Sequence, residues 1–287
     1  MAQWQNFFQE IVSKNQRAIA RTNLPWILSG VPLSFLSVLL YSLFIYKAVG
    51  MYTKAAQLYD KLYHFKDYEA HANKVVAAIA HSHPSATTLL EIACGTGRFT
   101  EHLSAHYEVQ GLDINQEMLD IAARRVPGIP LHLADMVDFD LGMKFDVVAC
   151  LFSSIAYART AENFFRSILT FARHVRPGGI LMIEPFFTLD SYWVDRITMN
   201  LVDEKEVKVS WMYVSELVGN EAHLNINYMV GTPAGINHFT ELHRLGLFAP
   251  DHYSKAFSQS GFRLQHDPTG PAGRGLYIGT SETGNIA

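Results

Sequence analysis

The chain has 287 residues, 49% of them hydrophobic and 17% charged, too apolar for a disordered chain and too varied for a fibre or coiled coil. A formal net charge of −4 gives no support to binding a phosphate backbone, so nucleic acid is not an expected partner. Two cysteines, Cys94 and Cys150, are too few for a disulfide framework or a Cys-rich zinc site and fit a reducing, cytoplasmic setting.

The first fifty residues carry five charges, Glu10, Lys14, Arg17, Arg21 and Lys47, and form a hydrophobic extension set apart from the rest. Trp4, Phe7, Phe8, Ile11 and Val12 recur at helical spacing, the pattern of an interfacial amphipathic helix. Leu24–Tyr46 is free of charge, and as a helix it would reach roughly 35 Å, the span of a bilayer core. Pro25, Gly30 and Pro32 interrupt the run, and positive charges on both sides set no orientation. Three readings stay open for residues 1–50: a membrane anchor, an over-long start with the true one at Met51, and a buried helical hairpin.

Residues 51–287 read as one domain without repeats or long linkers. Thr87–Ile92, Tyr107–Asp113, Leu131–Ala134, Phe145–Phe152 and Gly179–Glu184 are predicted strands. Arg98–His106, Gln116–Arg125 and Ala161–Val175 are the helices between them, and Arg176–Gly179 is a turn. Strands alternating with helices predict a Rossmann-like, doubly wound α/β sheet, mostly parallel, with ligands at the carboxyl ends of its strands.

The ligand signal sits at the first such end, Glu91-Ile92-Ala93-Cys94-Gly95-Thr96-Gly97. Glycines here permit a sharp turn and close backbone approach at a helix N-terminus. A dinucleotide-binding loop would carry a third glycine where Arg98-Phe99-Thr100 stand, so a dehydrogenase is disfavoured. Asp113 closes the next strand, placed to accept hydrogen bonds from both ribose hydroxyls of an adenosine group. Asp135 and Met136 close the third, an acid and an apolar side chain suited to an adenine edge and face.

In these features residues 51–280 resemble the class I S-adenosylmethionine-dependent methyltransferases. Further segments (Tyr59-Asp60-Lys61-Leu62-Tyr63, Lys66-Asp67-Tyr68, Phe152-Ser153-Ser154, Glu184-Pro185-Phe186-Phe187 and Gly273-Arg274-Gly275-Leu276) resemble the N-methyltransferases that dimethylate amino groups of nucleotide-linked deoxysugars. The resemblance implies S-adenosyl-L-methionine as cofactor. It would be held by Glu91, Ala93, Cys94, Gly95, Gly97, Asp113, Ile114, Met118, Asp135, Met136 and Phe152, with Tyr59 and Tyr63 closing over the sulfonium. Glu91 stands where Asp is common, and Tyr157 where some amino-sugar enzymes place a His. Export is disfavoured, because it would part this domain from a cytosolic cofactor.

After the fifth strand the chain inserts about sixty residues, roughly 186–247. Alternating runs at Val207–Val214, His223–Val230 and Ile236–Leu247 predict an antiparallel sheet with one wet face, a lid that excludes water. Tyr253–Ser260 is then a helix, and Phe262–His266 with Gly275–Thr280 a closing strand pair. Methyl transfer from a sulfonium is an in-line displacement in which positioning dominates. Candidate proton acceptors are Tyr157, Glu184, His238 and His243; Tyr157, Glu184, Phe186, His238 and Arg274 are expected at the substrate, Arg274 as a fork for a phosphate. His238-Phe-Thr-Glu-Leu-His243 lacks the i, i+4 spacing of a zinc pair, so no metal is expected. The expected function is methyl transfer to a small-molecule acceptor, an amino nitrogen first and an oxygen or carbon second, with non-catalytic cofactor binding as the rival. Residues 1–50 are a candidate membrane contact and a homodimer the candidate assembly.

Overall fold

Apolar residues in the central strands come in consecutive pairs whose members point to opposite faces, as the two-residue period of a strand requires. Leu89 and Leu90 on the first strand, Val147 and Val148 on the fourth and Leu181 and Met182 on the fifth are all fully buried and divide between two cores. A sheet buried on both faces needs helices on both, and the chain supplies them. The computed structural model describes residues 55–282, all within one unit, Gly50–Ala287. The expected amphipathic helix and uncharged span lie outside the described residues. Among the described residues no helix is long and apolar enough to cross a membrane.

In chain order the elements are α1 (Tyr59–Leu62), α2 (Tyr68–Ser82), β1 (Thr88–Ile92), α3 (Arg98–Leu103), β2 (Glu108–Asp113), α4 (Gln116–Arg125), β3 (Leu131–Leu133), β4 (Phe145–Cys150), α5 (Ala161–Arg173), β5 (Val175–Ile183), β6 (Ile197–Asp203), β7 (Lys208–Val218), β8 (Glu221–Thr232), β9 (Gly235–Gly246), α6 (Pro250–Gln259), β10 (Phe262–Asp267) and β11 (Leu276–Ser281). The main sheet runs β10-β11-β5-β4-β1-β2-β3. Its first five strands are parallel and the closing pair antiparallel, as expected. α5 and α6 cover one face through Phe164, Phe171 and Phe257, while α2 and α3 cover the other through Val75, Ile79 and Phe99. The order reverses between β1 and β4, which opens a crevice at their carboxyl ends.

A second sheet, β6-β7-β8-β9, is an antiparallel meander. Val202, Val209, Trp211, Ile226, Tyr228 and Val230 on its inner face pack with Ala55 and Leu62 at the start of the described chain.

Three local expectations are corrected. Arg176–Gly179 is not a free turn: β5 already starts at Val175, and the register jumps from Phe145↔Val175 to Val147↔Ile180, so the Pro-Gly-Gly stretch is an irregularity within the strand. β6 was not anticipated, because its apolar residues Ile197, Met199 and Leu201 face outward and mainly Val202 is buried. α2 was also missed; its buried stripe, Tyr68, Ala72, Val75 and Ile79, has correct helical spacing but is diluted by a small alanine.

Candidate active site

The loop after β1 is built on left-handed backbone: φ is 56° at Ala93, 55° at Gly95 and 77° at Gly97. A Cβ on Gly95 would meet open space, so the backbone there faces the crevice bare. A Cβ on Gly97 would lie 3.1 Å from Ala122 Cβ, so this glycine lets the loop pack closely on α4; it is not among the residues that line the cavity. At the end of β2, Asp113 accepts hydrogen bonds from the N–H groups of Gly95 and Asn115, both at 2.8 Å. Burial pushes its carboxyl upward against the pull of those donors.

These pieces border a cavity of about 570 Å³, within the range of small-molecule sites. One end is lined by Ala93, Gly95, Asp113, Ile114, Met118, Asp135 and Met136. The other end lies under the second sheet, where Phe186, Tyr192, Trp211, Tyr213, Ile226 and Leu245 make an apolar, aromatic chamber. Tyr59, Tyr63, Phe152 and Tyr157 also line the cavity. Tyr59 and Tyr63 pack against each other with ring centroids 4.7 Å apart, and Tyr63 meets the Phe152 ring edge-on at 5.7 Å. Burial drives the Tyr59 hydroxyl well above its ordinary pKa, which keeps it a neutral donor.

Glu91 and Cys94 border a smaller recess of about 30 Å³ behind the loop, shared with Tyr68 and Arg98. Glu91 accepts from Thr100 Oγ1 at 2.6 Å, and burial raises its carboxyl to about 8. Burial and then the Glu91 carboxylate push the Cys94 thiol well up, leaving it a packed, un-ionised group.

Glu184, expected as a proton acceptor, is turned to another task. Its Oε2 accepts from Phe152 N–H at 2.7 Å and its Oε1 from Arg274 Nη2 at 3.2 Å. It anchors the left-handed Phe152-Ser153 turn (φ 55° and 61°) and fixes Arg274, and it does not itself line the cavity. Arg274 does; it also donates to Ser153 Oγ at 3.0 Å. His238 is corrected too. It lies five residues before His243 on β9, hence on the opposite face, and is exposed on the outside of the second sheet. His243 faces in and lines the cavity, with Nδ1 2.9 Å from Tyr157 Oη.

Residues not singled out complete the site. Lys66 holds its ammonium 3.5 Å from the Phe152 ring centroid, and burial, then Arg274, lower its pKa to about 8. Asp60 ties α1 to the glycine loop: it accepts from Thr96 Oγ1 at 2.7 Å and from Arg125, which also reaches the Thr96 carbonyl. Burial works to raise the Asp60 carboxyl, but the hydrogen bonds from Arg125 and Thr96 outweigh it and hold the group below its ordinary value. Lys66 and Asp60 both stand in the segments that carry the family resemblance, which was the available signal.

Residues 89–179 match the model of a methyltransferase domain. The chain is 38% identical over 227 residues to a dTDP-4-amino-2,3,4,6-tetradeoxy-D-glucose N,N-dimethyltransferase of Saccharopolyspora spinosa, covering 78% of this chain and 91% of that protein. Among solved structures it is similar to Streptomyces venezuelae DesVI, with a TM-score of 0.76, 33% identity, and 80% of this chain and 99% of the other covered. It is also similar to the S-adenosylmethionine-bound amino pentose methyltransferase CalS10 of Micromonospora echinaspora, with a TM-score of 0.69, 31% identity, and 75% and 92% covered.

Proposed function

Because the chain belongs to the family of S-adenosylmethionine-dependent N,N-dimethyltransferases of dTDP-linked amino sugars, we propose that it methylates the amino nitrogen of a nucleotide-linked deoxysugar. The observation that carries the reading is the two-ended cavity: a carboxylate and a bare glycine loop at one end, an apolar aromatic chamber at the other. A sugar stripped of hydroxyls presents little polar surface, and such walls leave few of its groups unpaired.

The residues present fit the cofactor. Bare backbone at Gly95 admits a close ligand, Asp113 offers acceptor lone pairs beside it, and Met118 and Met136 give apolar walls. When bound, S-adenosyl-L-methionine supplies an electrophilic methyl group on a sulfonium. Asp113 holds the ribose, Asp135 and Met136 the adenine, the 93–95 backbone the methionine portion, and Tyr59 and Tyr63 cover the reacting end. The second sheet acts as the lid. By excluding water it lowers the acceptor ammonium's pKa and so favours the nucleophilic amine. Arg274, held by Ser153 and Glu184, presents its guanidinium toward a phosphate of the nucleotide.

A homodimer and a cytoplasmic location belong to the same proposal. Ile197, Met199, Leu201, Met212, Val214, Met229 and Ile236 are exposed on the second sheet, the kind of apolar surface that a second copy covers. The test of the function is incubation with labelled cofactor and a panel of amino sugars, simple amines and phenols. Label in the amino sugars supports the reading; cofactor binding with no transfer, or transfer to phenol oxygen alone, overturns it.

A further inference from the structure

Behind Tyr157 the structure holds a line of polar groups. Tyr157 Oη lies 2.9 Å from His243 Nδ1, and His243 Nε2 lies 3.8 Å from Glu241 Oε2. Glu241 and His243 are two apart on β9 and so share its inner face. Both are buried, Glu241 at 9% exposure and His243 at 1%. Tyr157 and His243 line the cavity; Glu241 does not. The other Glu241 oxygen accepts from Ala55 N–H at 3.2 Å, which fixes the carboxylate from the far side.

We propose that Tyr157, His243 and Glu241 form a proton relay that takes the proton released at the acceptor nitrogen, with Glu241 as its positioning residue. The proposal rests on the N-methylation reading above and adds the path of the proton. An imidazole has one donor and one acceptor nitrogen when neutral, and the group beside one nitrogen decides the other. A carboxylate near Nε2 favours the proton there, which leaves Nδ1 as the acceptor facing the tyrosine hydroxyl. In the reaction the acceptor nitrogen's lone pair forms the N–C bond while the C–S bond breaks and its electron pair stays on sulfur. The nitrogen is then positive and carries a surplus proton. That proton passes to Tyr157 Oη as the tyrosine's own proton passes to His243 Nδ1, leaving a neutral methylated amine, a neutral tyrosine and an imidazolium opposite the Glu241 carboxylate. The imidazolium returns its proton to solvent on product release. A second methylation repeats the cycle on the secondary amine.

Tyrosines stand near this line: Tyr228 on β8 interacts with Glu241 and Tyr157, and Tyr59 on α1 with Tyr157; Tyr63 interacts with both Tyr228 and Tyr59. Arg159 also lines the cavity but is turned to Glu221 at 3.3 Å. Glu241 sets a carboxylate beside His243.

The test is Glu241→Gln, which retains an acceptor for Ala55 N–H but removes the charge. kcat falls about tenfold, with KM for cofactor and sugar unchanged. Tyr157→Phe cuts kcat about 100-fold, and adding Glu241→Gln to it costs nothing more. In cofactor-free protein, nitrogen NMR of the ring, assigned by its loss in His243→Gln, shows the proton on Nε2 in the wild type. An unmoved kcat in Glu241→Gln, additive losses in the double variant, or a proton on Nδ1 overturns the relay. A wild-type protein that methylates no amine overturns the functional reading, and this catalytic role with it, even where NMR finds the wiring in place.

Discussion

Asp113 joins the sequence motif to the cavity most directly. Its two oxygens already accept from Gly95 and Asn115 N–H groups, so the carboxylate is rigidly aimed before any ligand arrives. Asp113→Ala should weaken cofactor binding by about 1–3 kcal/mol in calorimetry; an unchanged affinity would remove it from the site. Glu91 makes a different prediction. Its carboxyl is raised by burial to about 8 in the folded protein against an ordinary 4.5. Between those values the folded state binds more protons than the unfolded one, so stability falls as pH rises through the window and levels off above it. The Tm of the wild type should therefore drop relative to Glu91→Gln from pH 5 to 8, as read by thermal scans; parallel curves would contradict a buried, protonated Glu91. Most of the cavity lining was legible residue by residue, since strand ends in a parallel sheet converge on one crevice. Type and position do not reveal what a group already holds or what crowds it: Glu184 is committed to Phe152 and Arg274, and at Gly97 the nearness of Ala122 leaves little room for a Cβ.

At the scale of elements, the period of a strand decides more than its composition. His238 and His243 are both plausible from sequence, yet an odd separation puts them on opposite faces of β9. Glu241, an even step from His243, was passed over although the same rule places it inside. β6 inverts the usual pattern, its apolar side chains facing out, so hydrophobic alternation alone gives no reason to expect its fold. The short α1 has little helical stability of its own; its place depends on Asp60, which links it to Thr96 and Arg125, and on Lys61, paired with Glu204 in the turn between β6 and β7. Asp60→Asn should raise KM for the cofactor severalfold while leaving the main sheet intact by circular dichroism. In the wild type the depressed Asp60 carboxyl adds stability that is present above its ordinary 3.8 and lost as pH falls through its lower folded value. Unchanged cofactor KM in Asp60→Asn would show that α1 needs no such tie.

Over the whole molecule, the two sheets have distinct jobs. The main sheet was legible from alternation of strand and helix because both its faces are buried and its cores are continuous. The second sheet was legible as antiparallel, but its outer face was not, since the exposed Ile197, Met199 and Ile236 have no counterpart within the described residues to explain them. Light scattering should give twice the chain mass, and a polar change such as Ile236→Lys should shift it toward the monomer; a wild type of single-chain mass would contradict the homodimer. The central claim is that the cavity delivers methyl groups to an amino nitrogen on a nucleotide-linked deoxysugar. Mass spectrometry of a dTDP-linked amino-deoxysugar and its hydroxyl analogue, each incubated with the protein and S-adenosyl-L-methionine, tests it most directly. The amino sugar should gain two methyl groups and the hydroxyl analogue none; methylation of the hydroxyl analogue, or an unaltered amino sugar, would contradict the account.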